Sequence, residues 1–164
     1  MKTTQLQYFI GHKMLLTADD DVLTQCKWTD LSDGQEKDSH EAYGKGVISI
    51  AISQISEYLA GKRKEFIIPL SLQGTEFRKR VWSELRLIPY GETITYKELA
   101  ERIGSPGAYR AVANACGANP FPIIIPCHRV VASGGKPGGY TGGLDIKFTL
   151  LEIEKQNGEA SCRV

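Results

Sequence analysis

Two consecutive short helices, each with a start and a stop signal, most restrict the fold of this chain. Thr95 and Glu98 form a capping box at the start of the first helix. Ser105-Pro106 supplies an N-cap and a first-turn proline for the second helix. Gly104 and Gly117 follow the two helices as stop signals. The pattern predicts a helix-turn-helix.

The second helix has one face that should pack inward and one that is nearly bare. Small and apolar residues at helical spacing mark the inward face: Ala108, Val112 and Ala115. Arg110, Ala113 and Asn114 lie roughly opposite. A helix that reads base edges usually presents several bulky polar side chains. One long cation on a small face suits insertion of Arg110 into a duplex. Taken alone, however, the segment favours an ordinary alanine-rich helix with a solvated Arg110.

The most apolar run of the chain leads into a cysteine, in the segment Ile123-Ile124-Ile125-Pro126-Cys127-His128-Arg129-Val130-Val131. We expect the isoleucines to form a buried strand with Cys127 at its mouth. A thiol held there beside a histidine and a guanidinium can be kept as a thiolate, the nucleophilic form. Neighbouring side chains of an extended segment point apart, so we expect a water between Cys127 and His128. The alternative for a free cysteine is a small buried hydrophobe.

A change of pattern at the linker-like Ser71-Leu72-Gln73-Gly74 indicates two domains. The sequence predicts an α/β (α+β) fold. A small N-terminal domain of antiparallel sheet plus helix should occupy residues 1–70. A mostly helical C-terminal domain should follow over 75–156, with the helix-turn-helix at about 95–117.

Within the first domain, short strands are predicted at Tyr8–Ile10, Lys13–Ala18 and Val22–Trp28. The turn Asp19-Asp20-Asp21 should join the last two as a hairpin. Ser32–His40 is polar and is predicted to be a loop. A helix that stops at Gly61 is predicted from four residues sharing one face: Ile48, Ile52, Ile55 and Leu59.

The second domain should hold two further helices and a glycine-rich loop. One helix is marked by Phe77, Val81, Trp82 and Leu85. Residues 132–143 contain six glycines, which let backbone amides approach a flat ligand closely. A last helix begins at Leu144 and carries two apolar stripes: Leu144, Phe148, Leu151 and Ile146, Leu150, Ile153. The polar tail from Gln156 to Val164 is expected to fray.

Composition narrows the functional classes. Residues 1–70 hold eight Lys or Arg against ten Asp or Glu, a net −2, and the remainder hold twelve against nine, a net +3. This is weak support for a polyanion partner of the second half. No run is apolar enough to span a bilayer or serve as a signal peptide, so we expect a cytoplasmic protein.

The cysteines and histidines are too scattered to predict a metal site or a disulfide framework. The four cysteines, which show no CxxC spacing, are Cys26, Cys116, Cys127 and Cys162. Reduced thiols are therefore expected. A metal held by Cys26 with His12 or His40 is the alternative to no zinc site at all.

The order and spacing of these motifs carry a family resemblance. The helix-turn-helix, Asn119-Pro120, the Pro-Cys-His-Arg-Val segment and the loop Tyr140-Thr141-Gly142-Gly143 together resemble the O6-alkylguanine-DNA alkyltransferases. The resemblance covers roughly residues 75 to 155. It implies DNA repair by direct reversal, in which the alkyl group of O6-alkylguanine, and also of O4-alkylthymine, moves irreversibly and stoichiometrically to the protein after base flipping.

The resemblance also implies roles for individual residues. Cys127 is the alkyl acceptor, and His128 is its base through a bridging water, oriented by Glu154. Tyr96 contacts the rotated phosphate and the guanine, and its phenol is a reasonable proton donor to the departing base. The implied DNA-binding residues are Arg110, Tyr96, Asn119, Ala113 and Asn114. Among them, Arg110 is the finger that enters the base stack, and Asn119 is the hinge to the loop that carries the cysteine. The implied substrate pocket comprises Tyr140, Thr141, Lys147, Cys116 and Val130. The backbone carbonyls of Val130 and Cys127 are implied to read the guanine edge.

The implied partner is double-stranded DNA, bound through the minor groove at an alkylated guanine. No cofactor, metal or membrane is expected, and the protein should be a monomer, with clustering along DNA left open. The region Ile10-Gly11-His12-Lys13 departs from the family pattern, and Cys116 stands where a bulkier apolar residue can occur. Two alternatives are a helix-turn-helix regulator without transferase activity and a cysteine hydrolase, which would need a separated histidine and an oxyanion donor pair.

Overall fold

A three-stranded antiparallel meander forms the first part of the molecule. The computed structural model of the chain describes residues 1–30 and 46–161. Strands β1 (Lys2–Phe9), β2 (His12–Asp19) and β3 (Val22–Thr29) lie in the order β1-β2-β3. The turn after Asp19 confirms the predicted hairpin. Asp20 adopts a left-handed φ of 51° there, which aspartate tolerates better than most residues.

The predicted first strand was wrong in its bounds. β1 begins at Lys2, and its register with β2 ends at the pair Phe9 and His12. Ile10 and Gly11 form the two-residue turn, with φ values of 46° and 79°. Two positive φ angles give the turn a twist that matches the strands on either side. Ile10 therefore belongs to the turn and not to the strand.

Helix α1 (Val47–Leu59) packs on this sheet. Its buried residues are Val47, Ile48, Ala51, Ile55 and Tyr58. The predicted face was correct for Ile48 and Ile55, whereas Ile52 and Leu59 lie at its half-buried border. The helix is followed by Gly61 in the left-handed region, as the stop signal predicted. The predicted loop Ser32–His40 lies outside the described residues.

The chain separates into two compact units, Met1–Leu72 and Gln73–Val164. The last residues of the first unit pair with β3, because the amide of Leu23 donates to Pro69 O at 2.9 Å and the amide of Ser71 donates to Leu23 O at 2.9 Å. The second unit contains helices α2 (Glu76–Leu85), α3 (Tyr96–Arg102), α4 (Tyr109–Gly117) and α5 (Leu144–Ser161). A two-residue strand β4 (Ile94–Thr95) precedes α3.

Helices α2 and α4 are joined through a buried indole. Trp82 Nε1 donates to Ala115 O at 2.8 Å, and Trp82 is 1% exposed. Val112 and Ala115 are buried, as predicted for the inward face of α4, whereas Ala108, assigned to the same face, precedes the helix and is half-buried. Arg110 and Asn114 are exposed, which confirms the predicted outward face.

The two predicted short helices are present, but the second begins later than expected. Thr95 Oγ1 accepts from the Glu98 amide at 3.1 Å, so the first cap is confirmed. Ser105 does not cap α4, which starts at Tyr109 without a side-chain cap bond. Instead, Ser105 O accepts from the Ala108 amide at 2.9 Å. Pro106 and Gly107 are the two central residues of a β-turn there, and proline favours the first of these positions because its φ is fixed near the required value.

The segment leading to Cys127 is also not the predicted strand. Residues 122–125 turn, with the Ile125 amide donating to Phe121 O at 2.8 Å and Ile123 in the left-handed region at a φ of 73°. Cys127–Arg129 then form one 3₁₀ turn. Prolines at 122 and 126 lack the amide that a buried strand would donate, which explains the failure of the apolar pattern. Pairing resumes in β5 (Val130–Val131), which lies parallel to β4.

Helix α5 differs from its predicted pattern in two ways. Ile146 and Leu150 are buried, whereas Leu144 and Phe148 are 40% and 52% exposed. Two members of one predicted stripe thus lie on the inward face and two members of the other lie outside it, whereas the last member of each stripe, Ile153 and Leu151, is half-buried. The helix also continues to Ser161 where fraying was expected. Asn157 Nδ2 donates to Ile153 O at 2.7 Å, a local bond within the predicted tail.

We predict that Thr95→Ala lowers the free energy of unfolding by about 1 kcal/mol, because the Glu98 amide loses its acceptor. Urea denaturation measures the change, and Thr95→Ser should recover most of it by restoring the hydroxyl. Thr93→Ala alters an exposed threonine two residues earlier and is the matched control. An equal loss in Thr93→Ala would show that the cap bond is not the source.

Candidate active site

A cavity of about 320 Å³ in the second unit brings most of the predicted site residues together. Its lining includes Tyr96, Ala113, Asn114, Cys116, Cys127, Tyr140 and Thr141. Gly117 and Gly139 complete the wall. The glycine-rich loop is fastened to the end of α4, because Thr141 Oγ1 donates to Gly117 O at 3.1 Å. Helix α4, the 3₁₀ turn Cys127–Arg129 (the cysteine turn) and this loop therefore share one concave surface.

Cys127 lies at the inner wall of this cavity and is 8% exposed. Burial raises the pKa of its thiol, while a hydrogen bond with the Asn119 side chain, the charge of Lys147 and the Cys127 amide oppose the rise. The neutral thiol is thus the resting form, in contrast to the thiolate expected from the sequence. A base must take its proton before the sulfur can attack.

Asn119 holds the backbone ahead of the cysteine in place. Its Nδ2 donates to Ile125 O at 2.8 Å, and its Oδ1 accepts from the Phe121 amide at 2.9 Å. Its own amide donates to Cys116 O at 3.2 Å. The Asn119 side chain therefore holds both ends of the turn that precedes Cys127, and its backbone amide links that turn to the end of α4. The contacts support the predicted hinge position.

His128 is fully buried next to the cysteine, and its Nε2 contacts Glu154 Oε2. Burial lowers the pKa of His128, the hydrogen bond and charge of Glu154 raise it, and the charges of Arg129 and Lys147 lower it further. The net shift is downward, so the imidazole is neutral and able to accept a proton. Its second nitrogen, Nδ1, is also buried.

Glu154 is an ionised carboxylate inside the protein, 1% exposed. Its Oε1 accepts from Arg129 Nε at 2.6 Å and from the Gly91 amide at 3.1 Å. Burial alone would raise the pKa of this carboxyl. The hydrogen bond with His128, the charge of Arg129 and the Gly91 amide outweigh burial and hold the pKa at about 2. The carboxylate is thereby kept available to orient the imidazole.

Lys147 is buried beneath the glycine-rich loop. Its Nζ donates to Val130 O at 2.7 Å and to Gly139 O at 3.0 Å. The Val130 carbonyl, predicted to read the guanine edge, therefore accepts from an ammonium group in this structure. Burial lowers the pKa of Lys147, and the nearby thiols of Cys127 and Cys116 raise it. Val130 and Lys147 thus support the loop from behind the cavity lining.

Tyr96 stands opposite the cysteine, packed against the loop at Gly138. A side chain at Gly138 would place its Cβ 2.7 Å from the Tyr96 hydroxyl, and Gly138 has a φ of 74°. Both facts restrict this position to glycine. Burial raises the pKa of Tyr96, as do the Cys116 and Cys127 thiols, and a backbone hydrogen bond with Gly139 lowers it. The phenol is therefore neutral and can donate a proton.

Arg110 lies outside the cavity. It is exposed on α4, one helical turn before the pocket residues Ala113 and Asn114. These three residues share one face of the helix because they are separated by three and four positions. Arg110 thus projects from the rim of the same surface that holds the thiol.

Comparison with known proteins identifies the family. The sequence model described as "6-O-methylguanine DNA methyltransferase, DNA binding domain" matches residues 76–156. A methylated-DNA–protein-cysteine methyltransferase of Mycolicibacterium paratuberculosis is 54% identical over 111 residues, which cover 68% of this chain and 67% of the relative. One from Mycobacterium bovis is 49% identical over 122 residues, 74% of each chain. The chain belongs to the methylated-DNA–protein-cysteine methyltransferase family.

Solved structures of relatives agree with this family assignment. The O6-methylguanine methyltransferase of Mycobacterium tuberculosis is 40% identical with a TM-score of 0.80, over 96% of this chain and 94% of that one. The Mycobacterium tuberculosis OGT in complex with DNA is 43% identical with a TM-score of 0.75, over 88% of each chain. The predicted α/β fold class is confirmed by these similarities and by the sheet and helices described above.

Arg129 is the site residue that sequence reasoning missed in this methyltransferase. The sequence places this cation two residues after Cys127, but no pattern in the sequence predicts its partners. It is buried, its Nη1 donates to Ile88 O at 2.7 Å, and its guanidinium lies 5.6 Å from the Tyr90 ring centroid. The available signal was an arginine embedded in an otherwise apolar run, since a buried cation requires an anion.

The other described cysteines, like Cys127, are buried. Cys26, Cys116 and Cys127 are free thiols, and burial raises the pKa of Cys26 and of Cys116, the latter to about 12. Within residues 1–30 and 46–161, no group of three His, Cys, Asp or Glu side chains could hold a metal ion. His40 and Cys162 lie outside the described residues.

Within residues 1–30 and 46–161, no helix combines the length and apolar character needed to cross a bilayer.

We predict that Glu154→Gln removes part of the acid sensitivity of folding. The Glu154 pKa falls from 4.5 to about 2 in the folded protein, so the unfolded chain takes up this proton first as pH falls. The stabilisation is complete above the ordinary value and is lost as pH falls towards 2. Wild type should lose up to about 3 kcal/mol more than the variant over this range.

Urea denaturation at a series of pH values measures this difference. Glu152→Gln, which removes an exposed carboxylate from the same helix, is the control and should follow wild type. Parallel profiles for wild type and Glu154→Gln would contradict a depressed pKa at Glu154.

Proposed function

We propose that this protein repairs DNA by moving the alkyl group of O6-alkylguanine in double-stranded DNA onto the Sγ of Cys127. The observation that carries the proposal is the position of that thiol. It faces a cavity built by α4 and Tyr96, and a neutral imidazole held by an ionised carboxylate lies next to it. Family membership and the relative whose structure was solved with DNA support the same activity.

The reaction requires the thiol proton to leave first. The neutral His128 takes it through a bridging water, because adjacent residues of one turn do not face each other directly. The Glu154 carboxylate stabilises the resulting imidazolium. This order accounts for a thiol whose pKa is raised at rest. A buried thiol without a base would be inert, and the thiol becomes reactive when the base removes its proton.

The thiolate then attacks the sp³ carbon of the alkyl group. A sulfur–carbon bond forms as the bond from that carbon to O6 breaks, and its electron pair stays on the guanine. Tyr96 donates a proton to the departing base and regains one from solvent. The same attack applies to O4-alkylthymine, which also carries an alkyl–oxygen bond on an aromatic ring. The thioether product is stable, so each molecule should react once.

The target carbon is stacked inside the duplex, and the guanine must be flipped out to reach the cavity. The small-residue face of α4 allows close approach through the minor groove. Arg110 projects from the rim of that face and can fill the gap that the flipped base leaves. Tyr140 and Thr141 close over the base from the loop. All these residues come from one unit of one chain, so a monomer suffices.

We predict that Cys127 takes a single alkyl group per molecule. Incubation with DNA containing O6-methylguanine should raise the intact mass by one methyl, and peptide mapping should locate it on Cys127. Cys127→Ser should take none, and Cys26→Ser should react like wild type. Repeated turnover, or modification of Cys116 on the wall of the same cavity, would sink this assignment.

We predict that Arg110→Ala loses repair of duplex DNA while it keeps its reaction with free O6-benzylguanine. Removing the side chain leaves the extrusion cost of a few kcal/mol partly uncompensated, a loss on the order of a hundredfold in the duplex rate. The free base needs no extrusion, so its second-order rate should barely change. Arg86→Ala, an exposed arginine after α2, is the control. Equal losses on the two substrates would mean that Arg110 supports the pocket or the fold.

A further inference from the structure

We propose that Arg129 is a positioning residue that keeps His128 in the neutral form able to accept the thiol proton of Cys127. The proposal rests on the function proposed above. It assigns to a buried arginine, which contacts neither the cavity nor the reacting atoms, control over the protonation of the base.

The geometry divides the two carboxylate oxygens of Glu154 between two partners. Oε2 faces His128 Nε2, whereas Oε1 accepts from Arg129 Nε at 2.6 Å and from the Gly91 amide at 3.1 Å. Arg129 is itself fixed by the bond from Nη1 to Ile88 O at 2.7 Å and by the Tyr90 ring. The guanidinium cannot leave the carboxylate without breaking these contacts.

An unbalanced buried carboxylate would work against the proposed chemistry. A negative charge next to an imidazole favours the imidazolium, and a protonated His128 cannot take a proton from Cys127. Arg129 places a positive charge on the other oxygen of the same carboxylate. The pair is then nearly neutral, so Glu154 can orient the imidazole without also protonating it at rest.

The other charged and titratable groups near His128 do not replace this role. Glu154 and Lys147 reach it from α5, while Arg129 and Cys127 flank it on its own turn. Tyr90 lies against Arg129 on the loop after α2. Burial is the largest influence lowering the pKa of His128, and both cations add to it. Lys147 is held by the Val130 and Gly139 carbonyls, so Arg129 is the cation bonded to the carboxylate itself.

The test measures His128 protonation and reactivity as functions of pH. Arg129→Met removes the charge while keeping an unbranched side chain, and Arg129→Lys keeps the charge. The second-order rate with free O6-benzylguanine is followed from about pH 6 to about pH 9, a range that covers the ordinary histidine pKa and the raised pKa expected in Arg129→Met. Nitrogen chemical shifts of the labelled imidazole report its protonation directly. Arg86→Met, an exposed arginine, is the control.

Arg129→Met should raise the pKa of His128, so that the imidazole is protonated at neutral pH. Its rate relative to wild type should fall at least about tenfold there, as a shift of one pKa unit beyond the ambient pH implies, and should recover as pH rises. Using the ratio to wild type removes the common effect of thiol ionisation. Arg129→Lys should keep His128 neutral and give a ratio that does not change with pH.

A merely structural role predicts a different result. The ratio for Arg129→Met would then be lowered equally at every pH while His128 stays neutral, and this outcome would overturn the proposal. If Arg129→Met does not fold, the double variant Arg129→Met, Glu154→Gln removes both charges. Its His128 should be neutral and its rate ratio independent of pH; a protonated His128 in this variant would also overturn the proposal.

The proposed function and the role of Arg129 can fail separately. If wild type does not react with O6-benzylguanine or with alkylated DNA, the proposed function fails. The imidazole titration still decides whether Arg129 controls the protonation of His128.

Discussion

The buried carboxylate of Glu154 is the group on which the arrangement of the site depends. It lies on α5 and binds His128 and Arg129 from the cysteine turn and the Gly91 amide from the loop after α2. An ion buried in this way costs several kcal/mol in lost hydration unless every lone pair is satisfied. Here three donors from two segments, the turn that carries Cys127 and the loop after α2, bind it. The carboxylate therefore holds the segments together and keeps the imidazole in place.

A second buried ion performs a similar task behind the cavity lining. Lys147 binds the carbonyls of Val130 and Gly139, which joins α5 to β5 and to the glycine-rich loop. The loop then lies close enough to Tyr96 that position 138 must be glycine. The proposed proton donor Tyr96 is thus positioned by a loop that the Lys147 ammonium group holds in place.

Local signals in the sequence predicted local structure well. The Thr95 cap and the hairpin at Asp20 were correct, and so were Val112 and Ala115 on the inward face of α4, because each depends on residues a few positions apart. The isoleucine run misled because an apolar run reports burial and not backbone geometry. Prolines on both sides made that buried segment a turn. Ser105 misled because Pro106-Gly107 satisfies a β-turn as readily as a helix start.

The site itself could be predicted only in part from the residues. Cys127 and His128 are adjacent in the sequence, and this adjacency alone predicts a reactive thiol. Glu154 lies 26 positions after His128, and only the family resemblance predicted its role. Arg129 was visible, yet its partners at Ile88 and Glu154 depend on how α5 and the loop after α2 pack. Contacts between distant segments leave no periodic signal in a single sequence.

Ile123 adopts a backbone conformation that lowers the stability of the fold. This branched residue is 1% exposed and has a left-handed backbone, a conformation in which its Cβ is crowded. Such a residue costs on the order of 1–3 kcal/mol and persists only when its surroundings require it. Glycine would relax the backbone but empty a buried space, so the position has two conflicting demands. The turn that leads to Cys127 is therefore a compromise between packing and conformation, four residues before the sulfur, and a natural place for sequences to trade stability against activity.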